Sequence, residues 1–173
     1  MDFANLKVEL LMDDSTLMGP LTCFKAYDVR GELGVNFDTT IAYRIGRAVG
    51  QHFNSGAVVI GCDARKTSPE LAEAVTRGVC DAGLKVFDLG MAGTEEMYWA
   101  VTEFGASAGI AVTASHNPIN YNGLKIVKSR SRPLDDADDF QVIKRLAEVA
   151  DWAEGAGVLK VKDISVDARA KYV

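Results

Sequence analysis

Strand-like and helix-like patterns alternate along the middle of this chain, and that alternation leaves few architectures open. After Asp38, placed to cap a first turn, Ile41, Ile45, Ala48, Val49, His52 and Phe53 recur at helical spacing until Asn54-Ser55-Gly56. Ala57-Val58-Val59-Ile60-Gly61 follows, a short apolar run rich in β-branched residues, which fits a strand covered on both faces. Thr67-Ser68-Pro69-Glu70 combines capping hydroxyls, an early proline and an acid three residues after Thr67, so a second helix is expected there. Its buried stripe is Leu71, Val75, Val79 and Ala82, and Gly83 ends it. Leu84 to Leu89 reads as a strand. Thr94-Glu95-Glu96 then opens a third helix that turns Met97, Ala100, Val101 and Phe104 inward and stops at Gly105. Ser107 to Thr113 is another strand, and Leu124 to Val127 alternates weakly enough to predict an edge or partly covered one. Asp135 or Asp136 starts a last helix with Phe140, Ile143, Leu146 and Ala147 on one face. Such a succession predicts a three-layer α/β sandwich around a mostly parallel, mixed sheet with right-handed crossovers.

The 173 residues suit one ordinary domain, and 48% hydrophobic with 25% charged residues excludes a disordered tail or a disulfide scaffold. With 19 Lys+Arg against 24 Asp+Glu the net charge is -5, the wrong sign for a chain held to nucleic acid by its overall field. Anions would have to be bound locally. Cys23, Cys62 and Cys80 are widely spaced and form no CxxC, so they are expected to be buried thiols. No apolar run approaches the roughly 20 residues of a membrane helix, and no basic leader precedes the apolar patch at Leu10-Leu11-Met12. A cytoplasmic location without membrane partners is expected.

In open α/β sheets ligands collect beyond the carboxyl ends of the strands, which directs attention to Thr113-Ala114-Ser115-His116-Asn117-Pro118. Ser, Asn and Pro are also ordinary turn residues. Ser115 and His116 are chemically a nucleophile and a base, but neighbours point apart in an extended segment, so a hydrolase dyad is not expected. The loop continues as Tyr121-Asn122-Gly123-Leu124-Lys125, and an earlier segment reads Phe24-Lys25-Ala26-Tyr27-Asp28-Val29-Arg30-Gly31. Together with Gly61-Cys62-Asp63-Ala64-Arg65 and Gly93-Thr94-Glu95-Glu96-Met97-Tyr98, these motifs resemble, in order, those of the phosphomannomutase and phosphoglucomutase branch of the α-D-phosphohexomutases.

The resemblance implies the fold of that family's first domain and a chemistry in which hexose 1-phosphates and 6-phosphates interconvert. A phosphoserine gives its phosphoryl group to the sugar, the bisphosphorylated sugar turns around, and the other phosphate returns to the serine. Ser115 is the implied phosphoserine and, through its phosphate, a ligand of Mg²⁺. A serine phosphate carries roughly -1.5 to -2 charges, and a loose in-line transfer needs positioning and cations more than a strong base. Arg30 and Lys125 are the cations implied at the site, His116 a proton relay or loop orienter, and Tyr27 and Asn117 lining residues. Asp63 and Arg65 are read as a pair holding a turn, and Thr67 and Ser68 as helix caps. Asp135-Asp136-Ala137-Asp138-Asp139 is read as an acidic helix start rather than a metal site.

The expected organisation is an amino-terminal extension over 1–20, a first domain over 21–150 and a linker over 151–173 toward a second domain. No DGDGDR-like aspartate cluster occurs, nor the family's sugar and carboxyl-terminal phosphate loops, so the chain alone is expected to lack turnover. The competing reading is a stand-alone module that binds a sugar phosphate or another protein. Phe3, Leu6, Val8, Leu10 and Leu11 make self-association through residues 1–20, or through the exposed domain interface, a further expectation.

Overall fold

In the computed structural model, which describes residues 19–152 and 158–172, strand β2 (Ala57–Cys62) is buried along its whole length. Its pleat explains why: Val58, Ile60 and Cys62 enter one apolar cluster while Val59 enters another. Five further strands join it in a mixed sheet: β1 (Val29–Glu32), β3 (Lys85–Met91), β4 (Ala108–Val112), β5 (Tyr121–Lys128) and β7 (Val161–Asp163). The sheet runs β1-β5-β4-β2-β3-β7, and the short β6 (Arg132–Pro133) pairs with β5 as the seventh strand. β4, β2, β3 and β7 are mutually parallel, whereas β5 runs antiparallel to both β1 and β4.

Helices cover both faces. On one lie α1 (Thr39–Phe53), α2 (Ser68–Asp81) and α4 (Gln141–Val149); on the other lie α3 (Thr94–Glu103) and α5 (Ser165–Tyr172). Asp38 caps α1 by accepting from the Ile41 amide at 2.8 Å, and Asn54 closes it in the left-handed region. α1 and α2 touch backbone to backbone. A β-carbon on Gly78 would collide with the Tyr43 carbonyl and lie 2.7 Å from the Arg47 amide nitrogen, and one on Gly46 would meet the Val75 backbone. Apolar periodicity hid one feature of α1, since Arg44 and Arg47 are both buried. Arg44 donates to the Ala147 and Glu148 carbonyls at 2.8 and 3.0 Å, closing the carboxyl end of α4, and Arg47 lies over the Trp152 ring.

The structure departs from the sequence reading in four places. β5 is no edge: β1 covers its outer side, and Leu124, Ile126 and Val127 are buried. β1 was readable only as a motif, because four residues with Arg30 and Glu32 half-buried carry too little apolar signal. The last helical segment does start at Asp136 after Asp135, but its first turn, Asp136–Phe140, is π-helical before α4. Over residues 158–172 the stretch read as a linker forms β7, paired with β3, and α5, whose Ala168 joins the second cluster with neighbouring Ile164. The extension expected over 1–20 lies, through residue 18, outside the described residues, as do 153–157 of the expected linker.

Candidate phosphoryl-transfer site

Beyond β4 the chain leaves the sheet at Thr113 and turns at once. Ser115 donates its amide to Thr113 Oγ1 at 2.9 Å, and the Asn117 amide donates to the Ala114 carbonyl at 3.0 Å, so Ser115 and His116 occupy the turn's two central positions. Ser115 has φ 52°, a left-handed conformation uncommon for a residue with a β-carbon and typical of functional turns. Ala114 beneath it is fully buried, whereas Ser115 and His116 are exposed. The turn also revises one expectation. Because the segment is not extended, Ser115 Oγ and His116 Nδ1 approach to 3.2 Å instead of pointing apart. No carboxylate among the described residues bonds this imidazole, so the pair lacks the orienting third member of a hydrolase triad.

Two guanidinium groups hold the loop's main chain from within. Arg30, on β1, donates Nη1 to the Thr113 carbonyl and pairs through Nε with Asp28 at 3.2 Å. Arg65 donates Nη1 to the Pro118 and Tyr121 carbonyls at 2.9 and 3.2 Å, and Nη2 to those of Ser115 and Asn117 at 3.0 and 2.6 Å. Its pairing with Asp63 is looser, 3.7 Å from Nε to Oδ2. Asp63 Oδ1 instead accepts from Ser68 Oγ at 2.6 Å and from the Arg65 amide at 3.0 Å. Burial raises the Asp63 pKa, but hydrogen bonds from Ser68, the Arg65 amide and Thr113, with the Arg65 charge, bring it below the usual carboxylate value. An otherwise acidic chain therefore places two cations under one turn.

The caps expected at Thr67 and Ser68 do different work. Thr67 occupies the cap position with helical angles and makes no capping bond. Its Oγ1 and the Ser68 Oγ instead accept from Asn122 Nδ2 at 2.9 and 3.0 Å, while Asn122 Oδ1 accepts from the Gly123 amide. Asn122 is fully buried, so its amide ties the start of β5 to the start of α2 and anchors the loop's far end.

Of the remaining expected residues, Asn117 lies in the turn itself, whereas Lys125 lies on β5 and Tyr27 just before β1. Lys125 stands half-buried on β5 in register with Ala111, close to the end of β4. Asn117 turns Nδ2 back to the Ala114 carbonyl at 2.8 Å. Tyr27 is 80% exposed in the approach to β1. Sequence reading missed the reach of Arg65 to the serine loop and the part of Asn122; the coincidence of G-x-D-x-R and Y-N-G was visible, but not that they touch. For Mg²⁺ the donor set does not fit. Asp28 and Asp63 are engaged by arginines, and no cluster of three or more metal-ligating side chains occurs among the described residues.

The fold is a three-layer α/β/α domain that presents an exposed serine in a left-handed turn, with two arginines behind it. The phosphoglucomutase/phosphomannomutase α/β/α domain I model matches residues 22–151, and the chain belongs to that family. It is 52% identical over 131 residues to a phosphomannomutase of Klebsiella pneumoniae, covering 76% of this chain and 83% of that protein. With the phosphomannomutase of Escherichia coli (strain K12) the identity is 48% over 156 residues, covering 90% of this chain but 34% of that one. A crystal structure of a phosphoglucomutase/phosphomannomutase family protein from Burkholderia thailandensis superposes with TM-score 0.74 and 33% identity. It covers 87% of this chain and 34% of its own length. The chain thus spans about a third of several of its relatives.

Proposed function

We propose that this chain is the first domain of a phosphomannomutase, and that Ser115 accepts and surrenders the phosphoryl group that moves between positions 1 and 6 of mannose phosphate. One observation carries the reading: an exposed serine held at φ 52° by main-chain carbonyls clasped from behind by Arg30 and Arg65. A fixed hydroxyl needs no reorganisation when an in-line phosphoryl donor arrives, and the arginines favour the charge that a phosphate brings. Lys125 supplies a further cation, His116 moves or orients a proton at Ser115 Oγ, and Tyr27 and Asn117 border the sugar. In the complete enzyme the Ser115 phosphate would be one ligand of Mg²⁺, whose charge would neutralise phosphate; the described residues offer no cluster of metal-ligating side chains for the rest. The chain acts in the cytoplasm on a hexose phosphate; no described helix is long and apolar enough to cross a membrane.

The test joins this chain to the segments that follow the matching region in the Escherichia coli (strain K12) relative and follows mannose 6-phosphate conversion by a coupled assay. Turnover lost in Ser115→Ala is expected. Turnover that survives Ser115→Ala contradicts the assignment.

A further inference from the structure

Arg65 was expected only to hold its own turn, yet its fork spends four hydrogen bonds on a segment about 50 residues away in sequence. Resting on the reading of Ser115 as phosphoryl carrier, we propose that Arg65 is a positioning residue for that transfer, clasping the loop so that Ser115 is held in its left-handed conformation before any sugar binds. Four carbonyl oxygens drawn to one point repel one another and gather only around a cation. A planar guanidinium meets them in pairs, Nη1 taking Pro118 and Tyr121 while Nη2 takes Ser115 and Asn117. The fork is braced in turn. Nε faces Asp63, Asp63 is fixed by Ser68, and Ser68 is fixed by the buried Asn122 at the loop's exit. An ammonium at the same place has its donors on one atom and cannot span carbonyls at both ends of the segment. The same charge, bonded at 3.0 Å to the Ser115 carbonyl, favours the phosphorylated over the free serine.

Residue-resolved amide hydrogen exchange on this chain tests the clasp directly. The Asn117 and Tyr121 amides, bonded to the Ala114 and Pro118 carbonyls, report the loop, and Ile110 and Ile126 on β4 and β5 report the fold. In both Arg65→Gln and Arg65→Lys, loop protection is expected to fall about tenfold or more while the strand amides keep theirs. Loop protection unchanged in Arg65→Gln, restored in Arg65→Lys, or lost equally across the sheet overturns the proposal. In the completed enzyme, Arg65→Lys is expected to lower kcat by about a hundredfold with KM within about twofold. An effect confined to KM overturns the positioning role. Loop protection lost as expected, with no serine-dependent turnover even in the unsubstituted enzyme, tells against the mutase reading and not against the clasp.

Discussion

Ser115 combines a conformational cost with the chemistry proposed for it. A left-handed conformation costs a β-carbon-bearing residue roughly 1–2 kcal/mol, and the surrounding carbonyl bonds must outweigh it. Ser115→Gly is therefore expected to unfold at higher urea than Ser115→Ala, by about 0.5–1 kcal/mol, although both abolish transfer. Equal stability, or a less stable glycine variant, would show that the turn is not strained. Asp139 gives a second prediction at this scale. Burial opposes its charge, but hydrogen bonds from Lys128 and His52 outweigh that and lower its pKa to about 2, against 3.8 in the unfolded chain. A carboxyl depressed in this sense contributes stability that is fully present above pH 3.8 and is lost as pH falls through about 2. Asp139→Asn should flatten the loss of unfolding free energy between pH 4 and pH 2, by about 2 kcal/mol at most. A variant that follows the same acid profile contradicts this.

At the scale of elements, legibility in the sequence followed the reach of each signal. α1, α2 and α3 were readable because apolar spacing and punctuating residues lie within one helix length: Asp38 and Asn54 around the first, Pro69 and Gly83 around the second, Thr94 and Gly105 around the third. β5 misled because Lys125 and Lys128 interrupt a strand whose cover comes from β1, and β1 is too short to declare itself. Thr67 and Ser68 misled for a related reason, since a local capping rule cannot foresee that Asn122, more than 50 residues on, claims both hydroxyls. Asn122→Ala is expected to lose about 2–3 kcal/mol, because it removes the donor to two hydroxyls and the acceptor of the Gly123 amide at a buried junction, and to loosen the serine loop with it. A loss under about 0.5 kcal/mol in urea unfolding would remove Asn122 from that role. Gly78→Ala, which sets a methyl group against the Tyr43 carbonyl, is expected to cost about 1–3 kcal/mol by forcing α1 and α2 apart. A neutral result would mean that the helix pair yields easily.

For the whole molecule, the serine loop was legible as a motif while its supporting frame was not: Ser115, Arg30 and Lys125 stand in recognisable strings, but the clasp by Arg65 exists only once β2 and β4 lie side by side. The chain offers Ser115 and two buttressing arginines but no cluster of metal-ligating side chains among its described residues, so the polypeptide alone is expected to convert no mannose 6-phosphate in the coupled assay. Turnover by the isolated chain, lost in Ser115→Ala, would show that its site is complete. The most direct measurement is site-resolved mass spectrometry of the completed enzyme after exposure to a mannose 1,6-bisphosphate. One phosphoryl group on Ser115, removed again by mannose 6-phosphate, is expected; a phosphoryl group on any other residue, or none on the enzyme while it turns over, would contradict the role proposed for Ser115.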